Sequence, residues 1–427
     1  MMTWWLSVVG DQPVVHDTLD YFTIADRIAR IGSGSILDGI GNSRTYGYPL
    51  FLSWARQLAG PDLTATRVVA TMMQWAVLIV ACAGAARLVA RAVGRNSTVP
   101  VIYAASVLNP FLLSQAGMMM TELVSAVLVW LATVTLMVRG RKALAVALPM
   151  SMLFAALATV VRPANLSVLL MVICIWCVRS AVRRDVSVWT VAAGLLIAGL
   201  PFVPQMIGNQ RQQGVPHPLI VTTDLYGGQL TWGAANLKYI TLAIPGMAPP
   251  MFYVNPFRPE GVEQPADFVR AAPAGYALTL GIHAFALVDQ DYLFTYVREL
   301  DPWYRRPMSA ANLAYLIVAI WGLVLGVRCA PTHDARLAIA VVLLVIAAYV
   351  AVYLPVAVES RFGVPLYLLV SPGFALAALE VRARLRAAGW RAVALPALVG
   401  IGLVAAGLWL SEWVRAQAPV LQALQAS

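Results

Sequence analysis

Charge is what this sequence most lacks. Asp, Glu, Lys and Arg make up 12% of its 427 residues, where a soluble chain carries about 25%. Hydrophobic residues reach 60% and the mean hydropathy is +0.75, which together exclude an ordinary water-soluble globule. Cysteine is scarce as well, confined to Cys82, Cys174, Cys177 and Cys329. Three of these sit in apolar blocks and the fourth beside a basic loop, so no external disulfide framework is available. Cys174-x-x-Cys177 has redox or metal spacing, but no second ligand pair accompanies it, and two small apolar residues of a helix is the better reading. Residues 1–10 do not read as a secretory leader, having neither a basic start nor a long apolar run. The expectation there is an interfacial stub or a first helix of which part is absent.

What fills the chain instead is long apolar blocks. They run roughly over 63–86, 98–116, 118–138, 143–160, 165–178, 186–206, 309–327, 337–356, 362–380 and 392–410. Blocks of this length predict an all-α polytopic membrane protein with about ten spanning helices, a single transmembrane domain over 1–427. The shorter blocks need tilt or a polar flank to complete a crossing.

The net charge of +10 is unevenly spread. Alternate loops hold Arg87, Arg91 and Arg95; Arg139, Arg141 and Lys142; Arg179, Arg183 and Arg184; Arg328 and Arg336; and Arg382, Arg384, Arg386 and Arg391. Against these stand only Asp185, Asp334 and Glu380, and the rest of the chain is left slightly acidic. The positive-inside rule assigns the basic loops to the cytoplasm. The charge is therefore a topology signal and not a nucleic-acid footprint. Two segments fall on the other face, 11–62 and 207–307. Within the second, Ala274 to Val288 is apolar but short, and a crossing there would upset the alternation. It reads as an interfacial or buried helix containing His283.

Residues 16–31 alternate with helical period. Tyr21, Ile24, Ala25, Ile28 and Ile31 share one face, and Asp20, Thr23, Arg27 and Arg30 another, which predicts an amphipathic helix on the membrane surface. Asp17 stands where an N-cap belongs, with Asp20 three residues on in a capping-box-like arrangement. That structural role competes with a chemical one for Asp17. A second short helix is expected after Arg44-Thr-Tyr-Gly-Tyr-Pro49, ending at Gly60. Arg67 lies about one turn inside the next span. A charge there is costly unless it snorkels or pairs, with Asp62 for instance, which makes it a functional candidate.

In order, the chain presents Asp17-Thr-Leu-Asp-Tyr21-Phe-Thr-Ile-Ala25, then Tyr48-Pro49-Leu50, then Ala65-Thr66-Arg67. Asn109-Pro110, Thr121-Glu122, Val161-Arg162-Pro163 and Glu359-Ser-Arg361-Phe362-Gly-Val-Pro365 follow. This series resembles the bacterial membrane glycosyltransferases of the GT-C fold, in the branch of protein O-mannosyltransferases and lipid A aminoarabinose transferases. It covers residues 15–180 and 350–370 and hardly touches the long second segment. The chain departs from the pattern in its missing first span, in Phe362 where tyrosine is usual, and in having no large soluble C-terminal domain.

The resemblance implies transfer of a monosaccharide, with inversion, from a polyprenyl-phosphate carrier to an envelope glycan, lipid or protein. The expected location is a bacterial inner membrane with the site facing the periplasm or exterior. An acceptor hydroxyl needs a carboxylate to take its proton, and the departing phosphate needs placed cations. Asp17 is the candidate base, or the carboxylate anchoring a metal, with Glu122 second. Arg361, Arg162 and Arg67 are the candidates for the donor phosphate, since guanidinium stays charged near lipid and forks onto phosphate oxygens. Asp20, Tyr21 and Lys238 are candidates for acceptor or sugar contact. A bound Mg or Mn ion held by oxygen ligands is a further option that the resemblance carries; His16 is the one histidine beside Asp17.

Each candidate has a plainer reading. Glu122 after Thr121 suits a helix N-terminus, and Arg162 and Arg361 can pair with carboxylates at the water boundary, Glu359 lying close to Arg361. The aromatics of the long segment, Tyr226, Trp232, Tyr239 and Tyr253, suit an interfacial belt as well as a sugar. Two other functions stay in competition: a transporter or flippase of lipid-linked sugar, and a glycan polymerase or ligase. Membrane lipids surround all three; none of them involves nucleic acid.

Overall fold

A computed structural model describes residues 17–30, 37, 40, 44–184, 186–221, 225–242, 251–290, 296–297 and 303–419. The stub before Asp11, His16 and Ile31 lie outside the described residues. Helices α1 (Asp17–Arg30) and α2 (Gly47–Ala59) precede α3 (Leu63–Ala92), the first long one. Then come α4 (Val99–Val107), α5 (Pro110–Ala116), α6 (Glu122–Leu136), α7 (Arg141–Val161), α8 (Leu166–Val178), α9 (Val188–Gly199) and α10 (Val203–Gln213). The middle of the chain holds α11 (Leu225–Ala235), β1 (Asn236–Leu242), β2 (Met251–Val254), α12 (Pro265–Ala271), α13 (Pro273–Ala286) and β3 (Tyr296–Val297). Last are α14 (Arg305–Cys329), α15 (His333–Tyr353), α16 (Val364–Ala388) and α17 (Arg391–Arg415).

Among the described residues, 8 helices are long and apolar enough to cross a membrane, or 9 if the pair α4–α5, bent by 48°, is one span. The protein is an integral, multi-span membrane protein. The tenth expected block is α6, apolar but only 15 residues long, where a crossing takes about 20. The α4–α5 bend has a local cause. Pro110 opens α5, and Asn109 Oδ1 caps it by accepting from Phe111 N at 2.9 Å and Leu112 N at 3.3 Å.

The chain divides into two compact units, Met1–Thr223 with Val327–Tyr349, and Asp224–Gly326 with Val350–Ser427. In the first unit α1 packs on α2, and the expected apolar face is the buried one: Tyr21, Ile24, Ala25 and Ile28 are all under 9% exposed. Protein covers that face, not lipid as the sequence suggested. Gly47 explains how α2 sits so close to α7, since a Cβ there would come within 2.9 Å of the Val160 backbone.

The ends of the first unit differ in charge. Arg139 donates to Ala92 O at 2.8 Å and lies 3.6 Å from Asp334, while Arg179 donates to Leu136 O at 3.2 Å. These contacts gather basic loops at the C-terminal ends of α3 and α6. Glu122 starts α6 at the other end, roughly 22 Å away at 1.5 Å per residue, and there meets Arg162, the residue after α7. Adjacent helices therefore run antiparallel, as the charge alternation requires.

In the second unit the long segment adds a small sheet, order β2-β1-β3, that the all-α reading did not include. β1 is antiparallel to β2 and parallel to β3. Leu237, Ile240, Met251 and Tyr253 from the sheet pack with Ile282 of α13 and Val414 of α17. α13 is the short helix expected around His283, and it falls outside the membrane-length set. Two close approaches rest on missing side chains. A Cβ on Gly373 would collide with the Ala319 carbonyl, so α14 and α16 cross backbone to backbone. A Cβ on Gly363 would collide with the Leu287 carbonyl. α17 buries none of its apolar window in protein, which leaves Leu395, Leu398 and Ile401 for acyl chains.

Candidate functional site

The first unit brings most of the sequence candidates together at one end. Asp17 opens the described part of α1, and its carboxylate is held by Arg44. Arg44 also reaches Asp20, Nε to Oδ2 3.5 Å, and lies 5.4 Å from the centre of the Tyr21 ring. Arg44 is thus the partner that spacing alone did not reveal. Tyr21 in turn meets Tyr48 edge to face at 5.2 Å. Burial pushes the Tyr21 phenol up from its usual range; Arg44 and Arg162 pull against that, while Glu122 and Asp17 add to it. One ring is therefore within electrostatic reach of two carboxylates and two guanidiniums.

Glu122 is deeper. Its side chain is 3% exposed and accepts from Arg162 Nη1 at 2.6 Å, with Thr121 Oγ1 3.3 Å from the same nitrogen. The position at the start of α6 favours a carboxylate through the helix dipole, so both readings of Glu122 are satisfied by one geometry. Arg67 is buried on α3, on the face that also carries Thr71 and Gln74. Asp62, the partner considered for it, serves as the N-cap of α3, accepting from Thr64 N at 3.0 Å and Ala65 N at 3.3 Å. Arg56 ties the short helices to this span through Asp26 at 2.8 Å and Thr66 at 3.2 Å.

The remaining candidates belong to the second unit. Arg361 lies in the 3-10 turn Ser360–Gly363, its Nε 2.8 Å from Glu359 Oε2 and its guanidinium 5.5 Å from the Phe362 ring. Lys238 of β1 is 1% exposed and donates to Asp289 Oδ2 at 3.3 Å and to Asp289 O at 3.1 Å. Ser411 Oγ of α17 donates to the same carboxylate, 2.9 Å and 3.0 Å from its two oxygens. Lys238 is thus buried against Asp289 and is not an open surface cation. Asp289 and Ser411 went unnoticed in the sequence, where neither belongs to a motif.

His283 has both ring nitrogens on backbone carbonyls, Nδ1 2.5 Å from Leu354 O and Nε2 3.0 Å from Asn236 O. Burial nonetheless depresses its pKa, outweighing the two carbonyls that favour the charged ring.

Asp17 and Asp20 share one guanidinium, and among the described residues no three His, Cys, Asp or Glu side chains gather. Comparison with protein-family models, with curated proteins and with solved structures returned no match.

Proposed function

We propose that the protein is a glycosyltransferase that moves a monosaccharide from a polyprenyl-phosphate carrier to a hydroxyl of an envelope glycan, lipid or protein. The observation carrying this reading is the gathering of Asp17, Asp20, Arg44, Glu122 and Arg162 around Tyr21, at the end of the first unit opposite its basic loops. By the positive-inside rule that end lies outside the cytoplasm. Nucleotide sugars are confined to the cytoplasm, so a donor there has to travel on lipid. An inner-membrane location with the site facing the periplasm or exterior belongs to the same proposal.

Asp17 is the better base of the two carboxylates. Both carboxylates are paired with an arginine, but the Asp17 side chain is 28% exposed against 3% for Glu122, so an acceptor hydroxyl reaches it more readily. In the proposed step the acceptor oxygen bonds to the anomeric carbon, the carbon–phosphate oxygen bond breaks, and the acceptor proton passes to the Asp17 carboxylate. Attack from the side opposite the phosphate inverts the anomeric centre. Arg162 and Arg67 in this unit supply positive charge for the phosphate as it leaves. Arg361 remains a phosphate candidate of the second unit, to be tested by itself.

The deciding experiment replaces Asp17 with Asn in purified, folded protein supplied with a panel of polyprenyl-phosphate monosaccharides. Transfer should fall by about a hundredfold to ten-thousandfold. Full activity in the variant would remove Asp17 from the base role. If the wild type transfers from no such donor yet moves lipid-linked sugar across vesicles, the flippase reading takes over.

A further inference from the structure

Four polar atoms around the start of α6 are buried without a hydrogen-bond partner among the described residues: Tyr48 Oη, Gln74 Oε1, Gln115 Oε1 and Asn165 Oδ1. Their residues are no more than 4% exposed. Buried polar atoms are nearly always satisfied in native proteins, so several in one neighbourhood call for something to bind them. Hydrogen bonds and charge tie them to one short stretch of chain. Gln74 Nε2 donates to Ala116 O and Met118 O, both at 3.1 Å, which lays its amide on the α5–α6 connection that follows Gln115. Tyr48 feels the charge of Glu122, where that connection ends. Asn165 Nδ2 donates to Ser125 Oγ at 2.7 Å and to Ala158 O at 2.9 Å, one turn along α6 from Glu122.

The chemistry of the unsatisfied ends is specific. The nitrogens of Gln74 and Asn165 are each committed to two acceptors, which fixes the amide orientation and leaves the oxygens open. Burial, and after it Glu122, holds the Tyr48 phenol well above its usual pKa, so it keeps its proton and can donate. The set therefore needs O–H or N–H donors for the two fixed amide carbonyls, a partner of either kind for the Gln115 amide and an acceptor for one phenol. An ionised phosphate brings acceptors only, and an acyl chain brings neither. A ring bearing several hydroxyls brings both.

We propose that Tyr48, Gln74, Gln115 and Asn165 form a binding station for a sugar ring inside the first unit. The proposal rests on the transferase reading for the lipid carrier alone; the sugar itself is called for by the four atoms. Tyr48 then becomes a specificity-determining residue that no motif named, because in the resemblance it counts only as the neighbour of Pro49.

The test measures equilibrium binding to the full-length wild type, Tyr48→Phe and Gln115→Met, in a detergent without a sugar headgroup. The probes are undecaprenyl-phosphate hexose, bare undecaprenyl phosphate and an octyl hexoside that has no phosphate. Each substitution should weaken both sugar-bearing probes by about threefold to tenfold and leave the bare carrier unchanged. The thermal midpoint of the ligand-free Tyr48→Phe variant should equal or exceed that of the wild type, because the hydroxyl removed has no partner to lose. A lower midpoint overturns the proposal by showing a partnered hydroxyl. So does equal binding of all probes by wild type and variants, which would mean that water alone fills the site, or a loss shared by the bare carrier.

The outcome also separates this proposal from the transferase reading. Binding of the octyl hexoside that depends on Tyr48, with no transfer from any lipid-phosphate sugar, keeps the station and removes the transferase. Transfer with kcat and KM unaltered in both variants does the reverse.

Discussion

Two charge clusters, one in each unit, are built in opposite ways. In the first, Arg44 is divided between Asp17 and Asp20, and the three side chains are 28%, 28% and 47% exposed. In the second, Lys238 and Asp289 are 1% and 2% exposed, with Ser411 closing the carboxylate. The open cluster keeps faces that a ligand can reach, and it gives up little free energy if it is rearranged. The sealed one directs its described hydrogen bonds inward and joins β1, the segment after α13, and α17. Charges of similar kind are thus left open to solvent in one place and closed into the protein in the other.

The sharpest way to break this contrast is Lys238→Met. Removing one partner leaves Asp289 charged and buried, at an expected cost of about 3–5 kcal/mol. Lys238→Met combined with Asp289→Leu should recover most of that, read as thermal unfolding in detergent. A single-variant loss as small as that of a surface pair would mean that Lys238 is solvated and open to ligands after all. A smaller effect is expected from Asp17→Asn on stability. A pair this exposed is worth about 0–1 kcal/mol, so the variant should unfold within that margin of the wild type while losing transfer. A large unfolding shift would assign Asp17 to cohesion as well and collapse the comparison.

The smallest effect concerns His283. Its pKa is lowered in the folded state by burial, so the unfolded chain binds the extra proton first as pH falls. Stability should be flat above the unfolded value near 6.5 and decline below it, until the folded value is passed. The slope is bounded by one proton, and His283→Gln should remove its share. A protein that gains stability on acidification through this residue would show that the two carbonyls outweigh burial.

Periodicity and charge made the spans readable before any coordinates. The apolar runs became helices because a membrane leaves the backbone no other economical way to satisfy itself, and Arg139 and Arg179 sit at the ends where alternation put them. α1 was legible in its faces yet not in its cover, since the same Tyr21, Ile24 and Ile28 stripe suits lipid or a neighbouring helix. α6 shows the limit of counting, because its apolar composition passes for a span and its length does not. Among the candidates, Glu122 and Arg162 could each be named from a motif, but their 2.6 Å pairing joins residues forty apart. Asp289 and Ser411 were invisible for that same reason: each is ordinary locally and acquires meaning only across 122 positions of chain. The small sheet escaped because β1 and β2 are short and strand pairing depends on partners far away in sequence.

Gly363 brings a different kind of constraint. It follows Arg361 and Phe362, and its bare Cα lies against the Leu287 carbonyl, two residues before Asp289. An alanine there would act as a wedge, pushing the arginine turn away from the strand-and-lysine core without altering any charged group. The seat of that turn depends on an empty volume the size of a methyl group, so the turn can be displaced by steric means from a position that bears no side chain.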